Sequence, residues 1–311
     1  MDAALARPTI ADRLRAATEQ LSAAGIDTAR LDAEVLLAAV LGLDRTALYV
    51  RLRDPIDDAT DERFVLAIER RARRQPVAYI TGVQEFWSLP FAVTPAVLVP
   101  RPETERIVEI ICARARPSTS SGRTEACGPP SSNAAVRPEP VEGPPLTICD
   151  VGTGSGCIAV ALAKTLPEIR VTGLDVSADA VEIARRNAAT HGVDDRLELV
   201  VSDLFAALPP ERRFDVIASN PPYLAPDDPI SPEVQFEPRG ALWAGGDGLA
   251  VIRRLLAQAP LRLAADGWLV MEIGAGQAEA VADLARAAGL RHVSIEADLA
   301  GLPRVLVARR G

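Results

Sequence analysis

From Leu146 onward the chain alternates short β-forming runs with helical ones. That alternation limits its fold more than any other feature. Strand-like runs lie at Leu146–Val151, Arg170–Asp175, Leu197–Ser202, Phe214–Ser219, Gly267–Ile273, Arg291–Glu296 and Arg304–Ala308. Helical runs lie near Cys157–Thr165, Ala178–His191, Leu249–Ala264 and Gln277–Ala288. A strand that returns parallel to its predecessor needs a crossover, and the intervening helices supply it. The pattern predicts an α/β fold with a mostly parallel sheet covered by helices on both faces.

The segment before it is of another kind. Residues 9–75 repeat apolar positions at helical spacing: Leu14, Ala17, Leu21, then Leu31, Val35, Leu36, then Phe64, Leu66, Ile68. Asp27 or Thr28 suits a helix N-cap. The last helix ends in Arg70, Arg71, Arg73 and Arg74 and stops at Pro76. Basic residues in a last turn are expected from the helix dipole, and a contact to RNA or an acidic partner is the sharper alternative. From Val77 to Val99 the β-formers Phe86, Trp87, Phe91, Val93, Val97, Leu98 and Val99, broken at Leu89-Pro90 and Thr94-Pro95, predict a hairpin joining two domains. Pro100-Arg101-Pro102-Glu103-Thr104-Glu105 then opens a helix running to about Arg114. The expected organisation is a helical domain over residues 1–76, a hairpin linker over 77–100 and an α/β domain over 101–311. Within the last, Pro, Gly and Ser supply about half of Pro117–Pro145. With so few large apolar residues, that stretch is expected to be a disordered insertion without catalytic content.

Charge narrows the function classes. The chain has 34 Lys+Arg against 42 Asp+Glu, a formal charge of −8 over 311 residues. Phosphate backbones repel such a chain, so broad nucleic-acid binding is not expected. No apolar run approaches the ~20 residues of a membrane span, and Met1–Ala11 does not read as a signal peptide. Cys112, Cys127, Cys149 and Cys157 have no C-x-x-C spacing and no nearby His, so reduced thiols in a cytoplasmic protein are expected rather than zinc.

Two motifs carry chemistry. Asp150-Val151-Gly152-Thr153-Gly154-Ser155-Gly156 joins the first of the alternating strands to its helix. Glycines let the backbone turn tightly and approach a ligand, and the helix start offers free N–H groups. Asp175, ending the next strand, could accept from ribose hydroxyls. A dinucleotide fingerprint would want Gly where Cys157 stands, and no Gly-Lys-Ser/Thr of a P-loop follows. The second motif is Ser219-Asn220-Pro221-Pro222-Tyr223, directly after another strand. Its prolines fix the backbone, Asn220 offers a side-chain acceptor and Tyr223 an aromatic face. The Asn220 side-chain oxygen and the Pro221 carbonyl could together hold the two hydrogens of a planar –NH2 group.

This pair of motifs resembles class I S-adenosylmethionine-dependent methyltransferases acting on amide or exocyclic amine nitrogens. Further runs narrow the resemblance. Pro100-to-Glu105, Asp150-to-Gly156, Ser202-Asp203-Leu204-Phe205, Ser219-to-Tyr223, Phe236-Glu237-Pro238, Gly245-Gly246-Asp247-Gly248-Leu249 and Glu272-Ile273-Gly274 follow the order of the release-factor glutamine methyltransferases, the PrmC/HemK family. The resemblance covers nearly all of the chain except Pro117–Pro145. It implies a Rossmann-like class I methyltransferase sheet with a small N-terminal helical domain that recognises substrate, joined by a β-hairpin. It implies S-adenosyl-L-methionine as cofactor, with Gly152, Thr153, Gly154, Ser155 and Gly156 around its methionine end, Asp175 on the ribose, and Asp203 and Leu204 flanking the adenine. Asn220, Pro221, Pro222 and Tyr223 would hold the acceptor glutamine, with Asn220 also facing the cofactor. Many family members have an aromatic residue where Leu204 stands, and the insertion is a second departure.

The implied reaction is methyl transfer to the glutamine amide nitrogen in the Gly-Gly-Gln loop of class I peptide chain release factors, with no membrane and no direct nucleic-acid partner. An amide nitrogen is a poor nucleophile, so positioning is the expected source of rate. No general base is evident. The alternatives are glutamine methylation of a ribosomal protein, adenine amino-methylation of DNA or RNA, and cofactor sensing without catalysis. Pro100–Glu105 favours the release factor over the first of these, the acidic balance opposes the second, and the intact Asn220–Tyr223 cradle opposes the third.

Overall fold

The computed structural model describes residues 7–115 and 145–311. The expected insertion, apart from Pro145, lies outside the described residues, as does Cys127. The chain forms two compact units: Met1–Val83 together with Ile230–Phe236, and Gln84–Pro229 together with Glu237–Gly311.

The first unit is helical: α1 (Ile10–Ala23), α2 (Ala29–Leu41), α3 (Arg45–Val50), α4 (Asp58–Ala72) and α5 (Val77–Thr81). Three of the helix starts are set by side-chain caps. Thr9 and Asp12 form a reciprocal capping box on α1, Asp44 accepts from the Ala47 N–H at 2.7 Å, and Asp57 accepts from the Thr60 N–H at 2.9 Å. Thr28 stands at the cap of α2 without a side-chain cap bond, and Gly42 ends that helix in the left-handed conformation. Leu14, Leu21, Leu36, Leu37, Leu48 and Phe64 form its buried centre. Three residues of the basic cluster at the end of α4 bond elsewhere within this unit. Buried Arg71 donates to Asp32 at 2.6 Å and to Glu233 at 3.0 Å; Arg74 donates to the Gly25 carbonyl and Arg70 to the Tyr79 carbonyl.

The hairpin is shorter than its sequence suggests. Residues 77–81 are helix α5, and only β1 (Val83–Phe86) and β2 (Leu89–Ala92) pair. Leu89-Pro90 opens β2 instead of breaking it. The turn is made by Trp87 and Ser88, both at positive φ (55° and 57°), as a two-residue turn that matches strand twist requires. Non-glycine residues are strained there. The Trp87 contacts offset that strain: its N–H donates to Glu105 at 2.7 Å, its indole N–H donates to Thr165 at 2.9 Å, and its ring is buried.

After the turn at Pro102–Thr104 and α6 (Glu105–Ala115), the chain builds β3 (Thr147–Val151), α7 (Cys157–Thr165), β4 (Arg170–Asp175), α8 (Ala178–Thr190), β5 (Leu197–Val201) and β6 (Phe214–Ser219). It ends with α9 (Ala250–Arg262), β7 (Leu263–Glu272), α10 (Ala278–Ala287), β8 (Leu290–Ala297) and β9 (Pro303–Arg310). The seven strands lie in the order β5-β4-β3-β6-β7-β9-β8, and β9 alone runs antiparallel to the other six. Both faces are covered, as a parallel sheet demands: Ile148 packs into one apolar cluster, Cys149 and Val151 into the other. The expected α/β class and mostly parallel sheet are thus present. β7 begins at Leu263, before the expected Gly267, because α9 ends two residues after Pro260. Strand order reverses at β3, so a crevice opens beyond the carboxyl ends of β3 and β6. Among the described residues no helix is long and apolar enough to cross a membrane.

Candidate active site

Both motifs lie at that switch point. In the first, Gly152, Gly154 and Gly156 all have positive φ (75°, 55° and 80°), so the turn is made of residues that adopt this conformation without Cβ strain. At Gly156 a Cβ would also stand 3.1 Å from the Ala184 Cβ, so α8 crosses the start of α7 closely. Asp175, at the end of β4, organises the loop: one carboxylate oxygen accepts from the Gly154 N–H and the other from the Ser177 N–H, both at 2.9 Å. Each oxygen keeps a second lone pair for a ligand hydroxyl. Beside Asp175, Val176 is 70% exposed, an apolar surface at the strand end that the motif reading missed.

Asp150 sits under the turn, fully buried. One of its oxygens accepts from the Thr153 hydroxyl at 2.7 Å and the other has no partner. Burial pushes its carboxyl up to about 7, opposed by the Thr153 bond and reinforced by the charge of Asp175. The Ser155 hydroxyl is likewise buried without a partner. These orphaned polar atoms, beneath a turn at the start of α7, suit the polar amino-acid end of a small ligand. Asp203 is exposed and bonds Arg254 at 2.6 Å; the Leu204 side chain is buried in the apolar core at φ 49°.

The second motif is supported by residues from far away. Pairing of Ser219 with Val151 on β3 and with Met271 on β7 sets Asn220 beyond the strand ends, and the Ser219 hydroxyl donates to the Val151 carbonyl at 2.7 Å. The Asn220 side-chain N–H donates to the Thr104 hydroxyl at 3.0 Å. Thr104 in turn donates to the buried Glu272 at 2.6 Å, and the Tyr223 hydroxyl approaches the other Glu272 oxygen at 3.4 Å. Burial pushes Glu272 up to about 7 against the Thr104 bond, and burial likewise raises the Tyr223 phenol to about 12. The Tyr223 carbonyl accepts from Gln277 at 2.9 Å. Gly248 has φ 70°, and a Cβ there would lie 2.3 Å from the same carbonyl. The Gly245–Leu249 run thus lies against the backbone of the cradle.

The motifs explain one another. Arg101 donates to buried Glu237, which also accepts from the Val99 N–H at 3.0 Å, so Pro100–Glu105 and Phe236–Pro238 are joined. Thr104 and Glu272 belong to the Pro100–Glu105 and Glu272–Gly274 runs, but nothing in their local sequence assigns them a place beside Asn220. Cys149 and Cys157 are buried, with burial raising both thiols, Cys157 to about 12.

Comparison with known proteins identifies the family. Residues 12–82 match the PrmC N-terminal domain and residues 141–257 the methyltransferase small domain. A release factor glutamine methyltransferase of Cereibacter sphaeroides is 43% identical over 302 residues, covering 96% of this chain and 98% of that protein. One of Geobacter sulfurreducens is 41% identical, covering 94% and 93%. Among solved structures, the hMettl16 catalytic domain in complex with the MAT2A 3′UTR hairpin 6 shares the fold, with a TM-score of 0.51 at 17% identity over 82% of each chain. By these identities over nearly its whole length, the chain belongs to the release factor glutamine methyltransferase family.

Proposed function

We propose that this enzyme transfers the methyl group of S-adenosylmethionine to the side-chain amide nitrogen of the glutamine in the Gly-Gly-Gln loop of class I peptide chain release factors. The observation that carries the reading is the polarity of the Asn220–Tyr223 cradle. The Asn220 N–H is committed to Thr104, so its oxygen is the group available to accept from an incoming –NH2. The Pro221 carbonyl supplies the second acceptor.

Gly152 to Gly156 would hold the methionine end of the cofactor over Asp150 and Ser155. Asp175 would take the ribose hydroxyls, and the adenine would lie toward Val176, Asp203 and Leu204. The bound cofactor supplies an electrophilic methyl on a sulfonium leaving group. The chain does the rest by placement. Two hydrogen bonds to the amide N–H groups favour a geometry in which the nitrogen lone pair faces the methyl, and the Tyr223 ring packs against the acceptor and favours nearby positive charge. The helical unit, with Leu31, Tyr49, Val50 and Leu66 exposed, would grip the protein substrate. A translation factor as substrate fits an enzyme acting in the cytoplasm.

The test is methyl transfer from labelled S-adenosylmethionine to purified release factor, beside a Gln→Ala form of its Gly-Gly-Gln loop and a duplex DNA control. Label on the unmodified factor alone is expected. Label on DNA, with none on either protein, would move the substrate to adenine.

A further inference from the structure

The cradle is oriented by a carboxylate that touches neither substrate nor cofactor in this reading. We propose that Glu272 is the positioning residue of the acceptor site: through Thr104 it sets which way the Asn220 amide faces, and through the Tyr223 hydroxyl it sets the aromatic ring. The inference rests on the reading of Asn220 and Tyr223 as the acceptor cradle.

The available protons fix the direction of each bond. An ionised carboxylate only accepts. The Thr104 hydroxyl has one proton and gives it to Glu272 at 2.6 Å. The 3.0 Å bond between Thr104 and Asn220 must then run the other way, with the amide N–H as donor. That turns the Asn220 oxygen away from Thr104, the orientation that accepting from a substrate –NH2 requires. The Tyr223 hydroxyl meets the second Glu272 oxygen at 3.4 Å, a longer and weaker contact. Protonation of Glu272 would undo this order. Its own proton could go to Thr104, the Thr104 proton could then go to the Asn220 oxygen, and the acceptor would be consumed within the protein.

The surroundings make such a change accessible near neutrality. Glu272 is 1% exposed. Glu103, beside Thr104, disfavours its charge; Arg304 on β9, itself paired with Asp298 at 3.3 Å, and the Thr104 and Tyr223 hydroxyls favour it; burial outweighs them and lifts it to about 7. A polar chain of this kind stabilises one hydrogen-bond direction only while every member keeps its role.

The experiment compares wild type with Glu272→Gln, Thr104→Val and Thr104→Ser, using full-length enzyme, purified release factor and labelled S-adenosylmethionine. Glu272→Gln keeps one acceptor oxygen but replaces the other with a donor, so it no longer fixes where the Thr104 proton goes; kcat is expected to fall on the order of tenfold while the cofactor Kd stays within about threefold. Thr104→Val, similar in size but without the hydroxyl, is expected to lower kcat comparably, and Thr104→Ser to keep most of the rate. Wild-type kcat should fall as pH drops through about 7, and the residual rate of Glu272→Gln should lose that inflection. Full activity in Thr104→Val, or an inflection unchanged in Glu272→Gln, would overturn the proposal. Loss in both variants with equal loss of cofactor binding would also overturn it, since that is the signature of general disruption. If wild type labels no release factor at all, the substrate reading fails instead, and that arm is read separately.

Discussion

The two loops that meet at the switch point of the sheet are built on opposite principles. The Gly152–Gly156 turn is local: its shape comes from three positive-φ glycines and one aspartate on the neighbouring strand. The Asn220–Tyr223 cradle is assembled from a distance: its side chains and carbonyl are held by Thr104, Gln277, Glu272 and the bare Cα of Gly248. A loop that must wrap one invariant ligand can be encoded in a few consecutive residues. A cradle that must aim hydrogen bonds at a reacting nitrogen needs side chains fixed from behind, and only the fold can bring those together.

The largest expected effect separates the two loops by function. Asn220→Ala removes the acceptor oxygen and is expected to cost roughly 10²–10³-fold in kcat, the scale seen when one oriented hydrogen-bond group is lost from an active site. The cofactor Kd should stay within a few-fold. Calorimetric titration of cofactor beside steady-state methyl transfer checks both. Cofactor affinity falling in proportion to kcat would break the division and make Asn220 a cofactor ligand first.

This division also accounts for what the sequence displayed. The strand–helix alternation after Leu146 is a periodic signal, and β4, β6 and α7 start and stop where it indicates. The turn and the Asn-Pro-Pro-Tyr run were legible because their chemistry is contiguous. Thr104 and Glu272 were visible only as members of motifs. Their meaning is a long-range contact, 116 positions between Thr104 and Asn220 and 168 between Thr104 and Glu272, which no local pattern encodes. The hairpin is shorter than its β-forming run for a related reason: Trp87 tolerates left-handed backbone because of its bonds to Glu105 and Thr165. Arg71 read as a last-turn cation, and it is buried between Asp32 and Glu233.

The distant support of the cradle can be attacked without touching its side chains. Gly248→Ala places a Cβ 2.3 Å from the Tyr223 carbonyl at a φ of 70°. Backbone must shift, since the clash is with a carbonyl and not a flexible side chain. A destabilisation of about 1–3 kcal/mol is expected, from strain at such a position, with a drop in kcat on the order of tenfold from displacement of the ring. Thermal unfolding and turnover test it. Unchanged turnover would show that the cradle does not depend on the close approach of Gly248.

The matching change in the local loop should read out differently. Gly156→Ala puts a Cβ 3.1 Å from the Ala184 Cβ and forces positive φ on a residue with a side chain. Roughly 1–2 kcal/mol of strain follows. Because the strain falls where the cofactor would sit, cofactor Kd should weaken about tenfold while KM for the release factor holds. A rise in that KM with cofactor affinity intact would reverse the assignment of the two loops.

The smallest effect lies under the turn and shows in pH dependence, not in rate. Asp150 is fully buried, and its carboxyl is raised from 3.8 to about 7. Its folded pKa therefore exceeds its unfolded one. Between those values the folded state binds more protons, so stability falls as pH rises across the window. The burial is complete, so solvent does not screen the effect, and the loss is on the order of a few kcal/mol at most. Asp150→Asn cannot titrate. Its unfolding free energy, from urea melts between pH 4 and 8, should decline less steeply than that of wild type. Glu272, also raised to about 7, keeps a slope of the same sign, so the variant should be flatter but not flat. The absolute stability of the variant is a poor guide, since the new amide N–H group adds a donor where Asp150 has an unpartnered oxygen. The slope isolates the charge. Parallel curves would mean that Asp150 ionises as readily in the folded chain as in the unfolded one, and that the turn rests on an ordinary carboxylate.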